Sequence, residues 1–355
     1  MNDAKYIGLD VHQATISAAV LDSAGKLLME STFETKASTI LQFLDGLRGS
    51  VQVTFEEGTC AAWLYDLVKP HVHKVVVCDP RKNALLKAGN KSDRIDARKL
   101  ADLLRTGLVS AVYHGEHGVR TLKELARSYL ALTQDATRVM NRLKALYRSR
   151  AIPCAGGRVY SQHHRGEWLA QLTEAGALRR AEFCYEQLDA LQALRQHVRR
   201  DLLEEGRKHS AIKLLRQVPS IGPIRATLLV ALMQTPHRFR TKRQFWAYSG
   251  LAVETHASGE YQMAQGQVKR SRRHPAIRGL NGNHNHDLKN IFKGAATRAA
   301  VAAGPLQEFY AALVERGMKP HLARLTLARK IAAITLLVWK KGVCFEAEYL
   351  KRQAA

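Results

Sequence analysis

Between Tyr6 and Arg105 short apolar runs alternate with amphipathic stretches, and that alternation constrains the fold more than any other feature of the chain. Tyr6-Ile7-Gly8-Leu9 is a strand-like run that closes at Asp10; Ala14 to Leu21 is a second and Leu27 to Phe33 a third. Asp22-Ser23-Ala24-Gly25 has turn chemistry, so the second and third runs predict a hairpin. Ser38 is placed to N-cap a helix carrying Ile40, Leu41, Phe43, Leu44 and Leu47. Val51 to Phe55 alternates as a fourth strand and runs into Glu56-Glu57-Gly58. Ala61 to Lys69 reads as a helix stopped by Pro70, Lys74 to Cys78 as a buried fifth strand, and Asp93 to Arg105 as a helix with Ile95, Leu100, Leu103 and Leu104 on or near its inner face. Three meandering strands followed by parallel crossovers give a mixed sheet with helices on both faces.

This order resembles the α/β ribonuclease H-like (RuvC-like) fold. Beyond it the chain turns helical. Thr121 to Arg150 is one long amphipathic stretch, Pro153 to Gly157 breaks it, and Glu167 to Lys208 continues it, which predicts an antiparallel pair, within one chain or at a dimer interface. From Leu214 to Met233 the pattern is helix, Pro219-x-x-Gly222 turn, helix. It resembles a helix-hairpin-helix element, whose turn offers backbone N–H groups to a phosphate. Pro236 to Ile277 reads as loop-rich and basic, and helices return from Gly304 to Lys341.

Charge narrows the partners. With 55 Lys plus Arg against 31 Asp plus Glu the net charge is +24, an excess that self-repels unless a polyanion neutralises it. No signal peptide opens the sequence, and its longest apolar run, Ile331 to Trp339, is too short to span a bilayer. The five cysteines are an odd number without a CxxC pair, which argues for a reducing compartment, the cytoplasm, and against a disulfide framework or structural zinc. The pairs His71/His73, His163/His164 and His284/His286 lack a second pair or cysteine at ligand spacing, so zinc is not expected there either.

Within a basic chain four carboxylates stand out by position. Asp10 closes the first strand, Glu56 closes the fourth, and Asp93 and Asp96 are three apart on one helix face. Singly, Asp10 suits a strand-end turn and Asp93 suits an N-cap. In a ribonuclease H-like fold these places converge at one end of the sheet, where carboxylate oxygens suit Mg²⁺ or Mn²⁺ and paired ions can clamp the oxygens of a phosphodiester. Glu57 adjoins Glu56 and would face the opposite way in a continuing strand; Glu56 is favoured as nearer the strand end.

Tyr6-Ile7-Gly8-Leu9-Asp10, Phe55-Glu56-Glu57-Gly58-Thr59 and Lys91-Ser92-Asp93-Arg94-Ile95-Asp96-Ala97-Arg98 resemble the DEDD-type insertion-sequence transposases, bridge-RNA-guided recombinases related to Piv-type DNA invertases. Val218-Pro219-Ser220-Ile221-Gly222, Phe245 to Leu251, Ser258-Gly259 and Arg278-Gly279-Leu280 are similar to blocks of that family's C-terminal domain. The second block departs from the family's usual Glu-x-Thr-Gly, and Lys269-Arg270-Ser271-Arg272-Arg273 stands where many relatives have Ser-Lys-x-Gly. The resemblance implies that Asp10, Glu56, Asp93 and Asp96 bind the metal and that Ser258 attacks DNA and becomes covalently joined to it. It implies donor and target DNA and a bridge (guide) RNA as partners, a homodimer or homotetramer with an active site shared between protomers, and a bacterial, nucleoid-associated location without membrane contact. The expected domains are residues 1–112, the RuvC-like domain; 113–209, a coiled-coil-like connector that dimerises; and 210–355, a mainly α transposase domain.

Arg238, Arg240, Lys242, Arg243, Lys269, Arg270, Arg272, Arg273 and Arg278, interleaved with Phe239, Phe245, Trp246, Tyr248 and Tyr261, suit phosphate contact plus base stacking, with Trp246 and Tyr248 expected to pack rather than stack. Three other readings compete. A RuvC-like junction-resolving nuclease would need the carboxylates but not Ser258. An actin-like kinase would want glycine where His12 stands. A non-catalytic nucleic-acid-binding protein would need neither site.

Overall fold

The computed structural model describes residues 4–82, 92–114, 117–256, 261–264, 266–270 and 276–350. The chain divides into two compact units, Met1–Glu116 and His117–Ala355.

In the first unit β1 (Ala4–Val11), β2 (Thr15–Leu21) and β3 (Leu27–Glu34) are followed by α1 (Ala37–Asp45), β4 (Ser50–Glu56), α2 (Ala61–Val68), β5 (Lys74–Cys78) and α3 (Asp93–Arg105). The sheet order is β3-β2-β1-β4-β5, with the meander antiparallel and β1-β4-β5 parallel. This is the expected mixed sheet. One detail differs: α1 begins at Ala37 behind an extended Lys36, so Ser38 lies inside the first turn and caps nothing.

Period-2 alternation splits the sheet into two faces. Ile7, Leu9, Ile16, Val53 and Phe55 point one way and pack with Ile40 and Leu44 of α1 and Leu64 and Val68 of α2. The other face belongs to α3. Gly8 lies directly under it: a Cβ there would fall 2.1 Å from the Ala97 carbonyl oxygen and 2.5 Å from the Ala101 nitrogen. Glycine in the strand and alanines in the helix let the two backbones approach this closely.

The second unit opens with α4 (Arg120–Arg148), α5 (Arg165–Leu169) and α6 (Ala175–Gly206). α4 and α6 form an antiparallel pair within one chain: Tyr147 meets Tyr185 near one end, Val139 packs with Leu188 mid-way, and Leu122 shares a cluster with Leu202 at the other end. That last cluster also holds Ile212, Leu229, Phe245, Phe292 and Ile331. The expected boundary at 209/210 therefore separates no compact units, because the connector's ends are part of the C-terminal core.

The rest comprises α7 (Ser210–Leu215), α8 (Pro223–Met233), α9 (Lys242–Tyr248), β6 (Val253–His256), β7 (Tyr261–Ala264), β8 (Gln267–Arg270), β9 (Ala276–Leu280), α10 (His286–Ala299), α11 (Pro305–Glu315) and α12 (Pro320–Lys341). α7, the turn and α8 take the expected helix-turn-helix form, with Gly222 extended at the N-cap, Pro223 starting α8, and Arg225 donating to the Ser220 carbonyl at 3.0 Å. The stretch expected to be loop-rich instead contains α9 and two antiparallel ribbons, β6 with β9 and β7 with β8. Gly250 closes α9 at φ 65°, where a Cβ would fall 2.3 Å from the His284 ring. Among the described residues no helix is long and apolar enough to cross a membrane.

Candidate active site

β1 and β4 run parallel and in register up to Leu9 opposite Phe55. The next step sets Asp10 beside Glu56 at the C-terminal ends of the two strands. Alternation puts Asp10 on the α3 face with Gly8, and Glu56 on that face with Thr54. The adjacent Glu57 is engaged elsewhere: its backbone N–H donates to the Cys78 carbonyl at 2.8 Å, and its carboxylate meets His114 Nε2 at 2.6 Å. His114 in turn stacks on Tyr65, with ring centroids 5.1 Å apart.

α3 supplies the other two carboxylates. Its N-cap is Ser92, which accepts a hydrogen bond from the Ile95 N–H at 3.4 Å. Capping is thus done by the serine, and Asp93 and Asp96 occupy the first turn, where the helix dipole favours negative charge. Two features fix the helix over the sheet. One is the Gly8 contact. The other is the pair between Arg98 of α3 and Glu30 of β3, in which Arg98 holds the glutamate below the usual carboxylate range.

The centre of the site is a triangle. His12, just past the end of β1, has Nε2 3.3 Å from Asp10 Oδ2 and 3.6 Å from Asp93 Oδ1, and one ligand atom from each of the three lies within 4.8 Å of the others. Burial pushes the Asp10 carboxyl above its ordinary value; His12 opposes that shift and the Asp93 and Asp96 charges add to it. Asp96 Oδ1 is shut off from solvent and accepts no hydrogen bond, with Lys99 Nζ 3.9 Å away. A cavity of about 470 Å³ opens at the same sheet edge, lined in part by His12, Gln13, Glu56, Gly58, Thr59 and Cys60.

A divalent cation suits this donor set. Crowded carboxylates on a partly buried strand end repel one another, a carboxylate oxygen is left without a donor, and both strains are relieved by a bound positive ion. His12 is the residue that sequence reading passed over. Its signal was present in Asp10-Val11-His12, since residues two apart at a strand end share a face.

The second unit carries the remaining expected residues. Arg240, Arg243 and Lys269 are exposed. Arg238 lies over the Tyr248 ring, 4.6 Å from its centroid, and Lys242 lies 5.7 Å from that of Trp246. The aromatics divide. Phe239 and Phe245 are buried core residues with rings 4.9 Å apart and are not available to stack on bases. Trp246 donates Nε1–H to the Arg329 carbonyl at 2.9 Å, so it packs, as expected. Tyr261 is 62% exposed. Ser258, Arg272 and Arg273 lie outside the described residues; Ser258 falls between the end of β6 at His256 and the start of β7 at Tyr261. Arg270 and Arg278 are described as backbone, in β8 and β9.

Residues 7–149 match a family model for the DEDD transposase of IS110 type, and residues 212–280 match that of the transposase IS116/IS110/IS902 family. Together the two cover more than half of the chain. The transposase for insertion sequence element IS1111A of Coxiella burnetii (strain RSA 493 / Nine Mile phase I) is 21% identical over 278 residues, which are 76% of this chain and 74% of the relative. The chain belongs to the IS110 family of DEDD-type transposases, enzymes that act on DNA in transposition with the help of a divalent metal.

Proposed function

We propose that this transposase cuts and rejoins DNA through a covalent serine–DNA intermediate, with Ser258 as nucleophile, and that a bridge RNA directs it to its donor and target DNA. The observation that carries the reading is the meeting of Asp10, His12 and Asp93 at the end of β1, beside Glu56 and Asp96. Asp10, Glu56, Asp93 and Asp96 hold the cation, Mg²⁺ or Mn²⁺. When bound, it supplies Lewis-acid stabilisation of the charge that builds on the phosphate oxygens.

Ser258 Oγ forms a bond to phosphorus as one bridging P–O bond to deoxyribose breaks. The serine gives up its proton, and the deoxyribose oxygen leaves as a hydroxyl. The phosphoserine ester keeps the bond energy of the cut strand, so a DNA hydroxyl can reverse the step at a new junction without ATP. The carboxylates and Ser258 come from different parts of the sequence and must reach one phosphodiester in the assembled complex, a homodimer or homotetramer working at the nucleoid. Arg238, Arg240, Lys242, Arg243, Lys269, Arg270, Arg272, Arg273 and Arg278 contact nucleic-acid phosphates, a role that fits the net charge of +24.

The test is adduct formation. Protein, Mg²⁺, donor and target DNA and the RNA transcribed from the flanking non-coding sequence are incubated together. An SDS-resistant protein–DNA band is expected in wild type and absent from Ser258→Ala and Asp10→Ala. Cleavage without a band, unchanged in Ser258→Ala, would replace the reading with a hydrolytic RuvC-like nuclease.

A further inference from the structure

We propose that His12 is a nitrogen ligand of the divalent cation held by the carboxylates, so that the site has a mixed nitrogen–oxygen donor set and binds Mn²⁺ in preference to Mg²⁺. The inference rests on the carboxylates holding a metal and is independent of the serine chemistry.

Three observations carry it. The first is spacing. Ligands at about 2.1 Å from an octahedral ion lie about 3.0 Å apart when adjacent and about 4.2 Å apart when opposite. His12 Nε2 stands 3.3 Å from Asp10 Oδ2 and 3.6 Å from Asp93 Oδ1, within that range.

The second is backbone anchoring. The His12 N–H donates to the Thr15 carbonyl at 2.9 Å, and the His12 carbonyl accepts from Thr35 Oγ1 at 2.9 Å. The N–H is thus tied to the start of β2 and the carbonyl to Thr35, just past the end of β3. The side chain starts from a fixed point two residues from Asp10, the preorganisation that a ligand needs.

The third is donor chemistry. Mg²⁺ takes oxygen ligands almost exclusively, whereas Mn²⁺, which also prefers oxygen, tolerates one imidazole among carboxylates better than Mg²⁺ does. One nitrogen among carboxylates therefore favours Mn²⁺ over Mg²⁺ without excluding Mg²⁺.

The experiment is pulsed EPR on the full-length protein loaded with Mn²⁺ alone at fixed pH, together with Mn²⁺ and Mg²⁺ titrations of wild type, His12→Ala, His12→Gln and Asp10→Asn. Wild type is expected to show ¹⁴N hyperfine coupling to the bound Mn²⁺. Both His12 variants should lose the coupling and bind Mn²⁺ about tenfold more weakly, with Mg²⁺ affinity changed by less than about threefold. Bound Mn²⁺ that Asp10→Asn abolishes, yet shows no ¹⁴N coupling in wild type, would overturn the role of His12 and leave the carboxylate site standing. Failure of wild type to bind Mn²⁺ in any way that Asp10→Asn removes would overturn both. The wild-type spectrum decides the matter even if a variant folds poorly.

Discussion

The strand ends that carry Asp10 and Glu56 belong to a five-stranded sheet covered on both faces, whereas β6–β9, which flank Ser258, form two separate two-stranded ribbons. In the first region each site residue inherits its position from buried neighbours: Leu9 and Phe55 precede Asp10 and Glu56, and Ala97 and Leu100 follow Asp93 and Asp96 on the same helix. In the ribbon β7–β8, Tyr261, Met263 and Val268 are all more than 60% exposed. The lesson is that a cluster of like charges is held against its own repulsion by a rigid, buried scaffold, while the ribbon β7–β8 presents apolar side chains to solvent.

The largest expected effect is on chemistry. Asp10→Asn should lower strand transfer by about a thousandfold, read as product formed per unit time. The same substitution should raise the melting temperature of the metal-free protein at pH 7. Burial holds the Asp10 carboxyl above its ordinary value, so the folded state binds its proton more tightly than the unfolded state. The resulting penalty is absent in acid, where both states are protonated, and grows as pH rises through the folded value. The gain from asparagine should therefore vanish near about pH 3. A fall in the metal-free melting temperature at pH 7 would show that Asp10 is a structural charge.

Next comes a contrast between two aromatics of the basic stretch. Phe245→Ala should cost about 3–5 kcal/mol in denaturant unfolding, because its ring is fully buried against Phe239 and Phe292. Tyr261→Ala should change stability by less than about 0.5 kcal/mol. Equal effects would erase the distinction between core and ribbon.

Gly8→Ala should cost about 1–3 kcal/mol, since the new methyl must push α3 off β1. It should also weaken Mn²⁺ binding, because the helix that moves carries Asp93 and Asp96. Stability lost with metal affinity intact would mean that the close approach serves packing alone.

The smallest effect is Ser92→Ala, about 1 kcal/mol by thermal unfolding, the usual worth of an N-cap. No loss would return the capping role to Asp93.

Much of the first unit was legible because its signals are local and periodic. Strand alternation, the turn at Asp22–Gly25 and the amphipathic pattern of α3 fix element order, and parity along β1 and β4 fixes which side chains share a face. That Glu56 ends β4 was readable from strand position; that His114 takes up Glu57 was not, because the two are 57 residues apart. The ribbons β6–β9 leave almost no trace in the sequence, because strands of four or five residues with few apolar positions carry almost no periodic signal. Spacing from basic residues does not separate Phe239 and Phe245 from Tyr261, because it says nothing about burial.

The sequence by itself determined the βββαβαβα order, the net charge of +24 and the helical character of the second half, and it singled out four carboxylates by position. All of these follow from residue type and short-range spacing. Only the tertiary structure decided that His12 joins Asp10 and Asp93, that Ser92 and not Asp93 caps α3, that Arg98 reaches across to Glu30, and that α4 and α6 share a core with the C-terminal helices. Each of these depends on which distant segments pack together. That choice is made by the summed burial of many side chains, and no local stretch of sequence contains it.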